Sequence, residues 1–504
     1  MALILGLLIP LAIGTWLVLA GRGLPLRAVS TVSVGAALAT LIAIGSAVAT
    51  HATFSRAWVP SLGLVLDVGI DGISAPLLLL TAAIGLLCVV HASRHVPAGG
   101  SPATFHGAIL LVMAGALTTF AARDAVLFFL SFELVLVPMW VLITRFGDAS
   151  RPGARADAGA RFILYTATGS TLMLLGILFV VARAGTADLT ALAAAHGAGL
   201  THGEQVLAAT LLALGLAVKV PVLPLHTWLP AAHTTAPTVG SVLLAAVLLK
   251  MGTYGLVRLP LAVVPDGFAV VAPWLAVVGA IGIVWGGLVC LVERDLKRLI
   301  AYSSVAHMGF VVLALATGSE TGLQAALFGN LAHGVISALL FFLVGGLKDR
   351  WHGADLTVAR PALREVAPRY GWLVVLGFAA TLGLPGLAGF WGEFLALVAA
   401  MGAPDGRSAA LFGACAAIAA VGAALAAAYS LRVLREIWVG DAVKADVHAP
   451  TGPAGLSGRM TPDLAGVELA VCGVLALAVV VLGVAPWLVT NPMAQTISTI
   501  VGTR

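Results

Sequence analysis

Apolar residues in this chain fall in long runs of about 20, the length of helix needed to cross a hydrocarbon core. Polar positions collect in the short stretches between the runs. The runs place helical spans at 2–20, 28–50, 72–91, 105–121, 124–144, 161–183, 206–226, 237–258, 271–292, 298–316, 322–347, 371–400, 408–431 and 465–488. The pattern therefore predicts an all-α polytopic membrane protein of about 14 transmembrane helices, with both ends on one side. Arg22 and Arg27 follow the first run instead of preceding it. That is the wrong polarity for a cleaved signal peptide, so residues 2–20 are read as a span with the N-terminus outside.

Two of these runs carry helix breakers. In the seventh, Lys219 is followed by Pro221 and Pro224, which remove backbone donors. In the twelfth, TLGLPGLAGFWGEF (381–394) concentrates Gly383, Pro385, Gly386, Gly389 and Gly392. Irregular backbone at membrane depth survives only where protein or a water-filled cavity satisfies it. The two breaks lie five helices apart, and an odd-numbered unit returns in the opposite orientation. Spans 4–8 and 9–13 are thus expected to be inverted repeats, each with a broken helix, and such pairs mark transport pathways. The expected organisation is one integral membrane domain over 1–504. Within it, 1–104 holds the N-terminal spans 1–3, 105–260 the first repeat, 271–438 the second, and 439–504 a cytoplasmic loop and the C-terminal span.

Charge supports the alternation of loops. Only 10% of residues are charged, against about 25% in soluble domains. Nineteen of the 27 Lys and Arg fall on one set of alternate loops and six on the other. The clusters are Arg145, Arg151, Arg155 and Arg161; Arg294, Lys297 and Arg298; Lys348, Arg350, Arg360, Arg364 and Arg369; and Arg432, Arg435, Lys444 and Arg459. By the positive-inside rule those loops are cytoplasmic. The net charge of +5 belongs to the membrane and is no nucleic-acid signal. The four cysteines lie in apolar stretches without a C-x-x-C pair, which argues against zinc, iron–sulfur and disulfide chemistry.

The remaining ionisable residues lie inside spans. They are Glu133, Lys219, Lys250, His307, His333 and Glu393. A charge at such depth costs about 2.5–3.5 kcal/mol on insertion scales, so six of them point to function. Burial disfavours a charged form and a nearby opposite charge restores it. A buried lysine with a switchable carboxylate partner can therefore take up and release a proton, and histidine titrates near neutrality without help. Glu133 and Lys219 form the expected pair, and His307 and His333 stand between Lys250 and Glu393 in chain order. Tyr302, Ser303 and Ser304 are candidates to bridge waters or to bind helices together. His226 and His233 are expected near the cytoplasmic mouth, and Asp71 as a cap of the third span.

SFELVLVPMW (131–140), LAVKVPVLPLHTWLPAAHTTAPTVGSVLLAAVLLKMGTYGLVRL (216–259), ERDLKRLIAYSSVAHMGF (293–310) and GLPGLAGFWGEF (383–394) resemble the antiporter-like membrane subunits of respiratory complex I. The resemblance covers roughly 60–490. It implies a proton-translocating subunit of an NADH:quinone oxidoreductase in a bacterial inner membrane, with both termini periplasmic. It further implies that Glu133 of the fifth helix pairs with Lys219 of the seventh and that Lys250 connects the two halves. His307 and His333 would then lie on a central hydrophilic axis, and Glu393 would be the terminal acid. Glutamate at 393 is similar to the M type, since the L and N types carry lysine there, and the chain lacks the long lateral helix of the L type. No cofactor is implied in this chain. NADH, FMN, iron–sulfur clusters and quinone are expected in partner subunits, and L-type and N-type subunits are the expected neighbours.

Other assemblies use the same fold, namely cation/proton antiporters and membrane-bound hydrogenases. A membrane cytochrome with His307 and His333 as haem ligands would leave the buried lysines unexplained. The glycine-rich stretch 383–392 lacks a following G-K-[ST] and lies within a span, so it is no phosphate loop.

Overall fold

A computed structural model describes residues 1–59, 64–98, 100–148, 152–351, 353–357, 362–403, 406–439 and 463–502. The apolar runs fold as helices because lipid leaves backbone groups no partner outside their own segment. In chain order these are α1 (Ala2–Ala20), α2 (Leu26–Ala49), α3 (Ser74–Ala92), α4 (Pro102–Ala121), α5 (Ala125–Phe146), α6 (Ala154–Ala184) and α7 (Leu189–Ala195). Then follow α8 (His202–Lys219), α9 (Trp228–Thr235), α10 (Thr238–Leu261), α11 (Pro265–Val292), α12 (Leu296–Thr317) and α13 (Glu320–Trp351). The chain ends in α14 (Pro368–Thr381), α15 (Ala388–Met401), α16 (Ala409–Leu434), α17 (Gly466–Val484) and α18 (Trp487–Val501). Among the described residues, twelve helices are long and apolar enough to cross a membrane. The seventh and twelfth spans are each assembled from two pieces, α8 with α9 and α14 with α15.

Burial sorts the helices into a core and a rim. The apolar windows of α10 and α13 are each 94% buried and that of α12 89%, against 33% for α1, α2 and α17. The rim exposes residues such as Ile42, Val137, Leu164, Trp274 and Leu477, which suits hydrocarbon and not water. The ionisable residues of α10, α12 and α13 therefore stand at the centre of the protein.

The two halves carry one motif in opposite orientation. Asp124 caps α5, accepting from the Val126 and Leu127 amides at 2.9 Å each, and its backbone bridges Asp188. The Ala125 amide donates to the Ala187 carbonyl (2.8 Å) and that of Leu189 to the Arg123 carbonyl (2.8 Å). On the other face, Asp295 caps α12 through the Arg298 amide (2.9 Å) and bridges Asp355. There the Leu296 amide donates to Ala354 (2.9 Å) and the Leu356 amide to Arg294 (2.9 Å). The sequence repeats accordingly: Arg-Asp at 123–124 and 294–295, Ala-Asp-Leu-Thr at 187–190 and 354–357. Burial pushes both cap carboxyls up from the ordinary value, with amide hydrogen bonds opposing it.

Three features depart from the sequence expectation. The connector before the third span is a hairpin of β1 (Thr53–Val59) and β2 (Leu64–Gly69), antiparallel with Thr53 opposite Gly69 and Ser55 opposite Asp67. Its alternating, β-branched flanks around Pro-Ser-Leu-Gly at 60–63 were a strand signal. A further helix, α18, follows the last span. The fifth span is kinked at Val135, because Pro138 has no amide to give the Leu134 carbonyl. The basic clusters are partly spent on ion pairs: Lys348 bonds Asp148, and Arg350 grips Glu468 through both terminal nitrogens. Arg151, Arg360, Lys444 and Arg459, with most of the expected cytoplasmic loop, lie outside the described residues.

Candidate proton relay

Lys250 lies on α10 just after a widened π-turn at Leu244–Leu248. The side chain is fully buried, and its Nζ donates to the Ala245 carbonyl at 3.0 Å. The same nitrogen lies 2.5 Å from Nδ1 of His333 on α13. The Ser337 hydroxyl, one turn along α13, lies 3.2 Å from Nε2 and 3.5 Å from Nδ1 of the same imidazole. The rings of His333 and His307 are 5.8 Å apart, centre to centre. His307 on α12 bonds Glu393 on α15, Nδ1 to Oε1, at 2.7 Å. Four residues distant in sequence thus form one file across four helices.

The second break places Glu393. Gly383 and Gly386 hold φ of +75° and +91°, a region open to glycine and strained for other residues. α15 then packs against α13 through Gly392, where an added Cβ would lie 2.6 Å from the Gly329 Cα. Only glycine lets α15 close enough for Glu393 to reach His307. A cavity of about 30 Å³ lies among Ser303, His307, His333, Ser337, Thr381 and Glu393, room for a water. The His307 Nε2 is buried without a protein partner among the described residues. A water there would complete the 5.8 Å step between the rings. The cavity beside the two rings, as it stands, does not accommodate a porphyrin.

The first break places Lys219. α8 stops at this residue, and the indole of Trp228 donates to the Val218 carbonyl at 3.0 Å. The ammonium lies 4.9 Å from the centre of the Phe132 ring and 5.9 Å from that of Phe162. The expected direct pair with Glu133 is absent from the ion pairs of the described residues. Neighbouring residues on a helix point about 100° apart. Phe132 faces Lys219, so Glu133 turns toward the half-buried rim and acts on the lysine across a gap.

The secondary candidates divide. Ser303 lines the cavity, whereas Ser304 is buried and donates to the Ile300 carbonyl of its own helix. His226 lies 6.1 Å from Tyr302, and His233 stacks on Phe341 at 4.5 Å. Asp71 does cap α3, accepting from the Ile73 and Ser74 amides at 3.0 and 2.9 Å. It also pairs with Arg258, which the sequence reading missed. Lys250, Tyr254 and Arg258 are spaced by four, one helical face, and that spacing was the available signal.

A family model described as "NADH:quinone oxidoreductase/Mrp antiporter, TM" matches residues 122–418. The chain is 36% identical over 435 residues to an NAD(P)H-quinone oxidoreductase chain 4 of Nostoc sp., covering 86% of this chain and 77% of the relative. It superposes on a chain of respiratory complex I from Thermus thermophilus with a TM-score of 0.84, at 29% identity and over the whole of both chains. It shares its fold, at 24% identity and a TM-score of 0.82, with a chain of the Mrp complex from Dietzia sp., covering all of this chain and 52% of that one.

Proposed function

The chain belongs to the NADH:quinone oxidoreductase/Mrp antiporter membrane family, and we propose that it is the M-type proton-translocating subunit of a bacterial NADH:quinone oxidoreductase. The observation that carries this reading is the file Lys250–His333–His307–Glu393, with two bonded contacts and one 5.8 Å step between the imidazoles. Glu393 supports the M type over the lysine-bearing types. In this proposal the basic face is cytoplasmic, the membrane is the bacterial inner membrane, and L-type and N-type subunits flank the chain. NADH, FMN, iron–sulfur clusters and quinone belong to partner subunits.

The chain's own residues then handle the proton alone. A charge change at one end of the membrane arm alters the field that Glu133 exerts on Lys219. Loss of the proton from Lys219 relieves the repulsion felt by Lys250, and protonation of Lys250 becomes favourable. Lys250 passes a proton to the 2.5 Å-distant His333 nitrogen. Water in the small cavity carries it to His307, and Glu393 accepts it. The proton that Lys250 takes up is the one Lys219 lost, so each group returns to its starting state once Glu393 releases its proton and Lys219 takes a new one from the basic face.

The test is the ratio of protons pumped to NADH oxidised by the assembled complex in proteoliposomes. Lys250→Ala should abolish it. Wild-type stoichiometry in that variant would sink the reading. Co-purification of the tagged chain with an assembly lacking NADH oxidation would keep the relay but move the chain to an antiporter.

A further inference from the structure

The relay leaves Lys250 in one direction, yet the structure holds polar groups on its other side. From Lys250, α10 continues to Thr253, Tyr254 and Arg258 toward the face opposite the basic loops. That face carries a cavity of about 570 Å³ lined by Asp71, Arg123, His196, Tyr254, Arg258 and Thr496, among others. Its floor is Tyr254, one helical turn, or about 6 Å of rise, from Lys250. The phenol donates to the Phe120 carbonyl at 2.9 Å. Above its ring, 5.1 Å from the centre, lies the Arg258 guanidinium, ion-paired with Asp71.

Between the cavity and Lys250 the polar groups are incompletely matched. Thr253 donates to the Lys250 carbonyl at 3.1 Å and accepts from the Asn330 amide. Asn330 Oδ1 and Arg258 Nε are buried without a partner among the described residues. Buried polar atoms are almost always hydrogen-bonded, and a water beside each orphan would satisfy it. Asn330 also lies one turn before His333 on α13. The bonded Thr253 and Asn330 therefore flank the Lys250–His333 contact, one from each helix.

We propose that this cavity is an outward half-channel to Lys250, shut by the Asp71–Arg258 pair over Tyr254. The proposal rests on the relay reading and adds a second exit to it. The step is proton transfer only. The Lys250 ammonium gives its proton to a water beside the Asn330 Oδ1 and becomes a neutral amine. The proton leaves through the cavity once the ion pair parts. The latch is held from outside by α18: Thr496 accepts from the Gly72 amide at 3.2 Å, beside Asp71. An added Cβ on Gly72 would lie 1.9 Å from the Pro492 carbonyl oxygen. Movement of α18 bears directly on the loop that carries Asp71.

The experiment labels single cysteines in the assembled complex, in vesicles with the outward face exposed, using a membrane-impermeant cationic thiosulfonate. The native cysteines are buried. Ala262→Cys, in the cavity wall, should react from that face. Thr253→Cys should be protected, and should react at least about tenfold faster when Asp71→Asn or Arg258→Gln is added. The pH gradient should also decay several-fold faster in Asp71→Asn, and Lys250→Ala should remove that extra decay. Should Asp71→Asn fail to assemble, Thr496→Val is the second variant, with the same signs and a smaller change. An unreactive Ala262→Cys, a Thr253→Cys protected with the latch removed, or a decay indifferent to Lys250→Ala would each overturn the half-channel. The relay reading fails on another readout, an unaltered proton-to-NADH ratio in Lys250→Ala.

Discussion

The two broken spans stand in halves that carry the same repeated motif, yet they finish differently. At the second, glycines make the turn, and Glu393 is bonded to His307 at 2.7 Å. At the first, prolines make the turn, and Lys219 stands over Phe132 and Phe162 without a bonded carboxylate. A buried cation costs about 2.5–3.5 kcal/mol on insertion scales, and a cation–π contact returns about 0.5–2 kcal/mol. The aromatic rings alone do not settle the Lys219 charge, so Glu133 and its surroundings decide it. One break ends in a hydrogen-bonded carboxylate, and the other in a cation held over aromatic rings. In the proposed pathway that difference would give a sensing end and a delivering end.

The largest effect that could break this comparison comes from replacing the two charges. Lys219→Ala and Glu393→Ala should each lower the proton-to-NADH ratio by tenfold or more. Lys219→Arg should retain part of the function, because it preserves a charge. Wild-type pumping in either alanine variant would remove the distinction. Next in size is Gly392→Ala, which forces α15 off α13 and should destabilise by about 1–3 kcal/mol, read as a lowered midpoint of thermal unfolding. The caps come third. Asp124→Ala and Asp295→Ala should cost about 1 kcal/mol each, and the double variant should show the sum because the sites lie on opposite faces. Marked non-additivity would mean that the halves are mechanically coupled through their caps. Phe132→Leu should lower stability by about 0.5–1 kcal/mol and slow pumping severalfold.

The smallest expected effect is a pH dependence that stays silent. Burial pushes the Asp71 carboxyl up, but the Arg258 guanidinium and hydrogen bonds from Arg258 and Ser74 outweigh it and hold the group below its usual 3.8. A lowered folded value means that the stabilisation is complete above the ordinary carboxylate range and is lost as pH falls through the lowered value. Protection of Thr253→Cys should therefore be constant from about pH 8 to about pH 5. Loss of protection within that window would show that something other than this pair holds the latch.

Most of the fold was legible because lipid demands long apolar helices, and because prolines and glycines announce the breaks. The six buried ionisable residues were legible for the complementary reason, as charges within apolar runs. Which of them touch was not legible. Phe132 and Glu133 are adjacent in sequence, and the rotation of α5 in the bundle, which no local pattern states, decides which one meets Lys219. The contact of Lys250 with His333 needs two helices brought together from distant parts of the chain, and no local pattern carries that. The hairpin and the Asp71–Arg258 pair had signals that the dominant span periodicity masked. The duplicated Arg-Asp and Ala-Asp-Leu-Thr segments were in plain sight, but only the structure shows that they join.

α10 carries two π-turns, Leu244–Leu248 and Val257–Leu261, and Lys250 lies between them. A π-turn holds an extra residue, and passing that surplus along the helix from one turn to the other rotates the segment between them by about 100°. A segment bounded by two such turns is a swivel whose ends stay fixed in the bundle. Turning it would carry the Lys250 amine round the helix axis while the rest of the protein stood still.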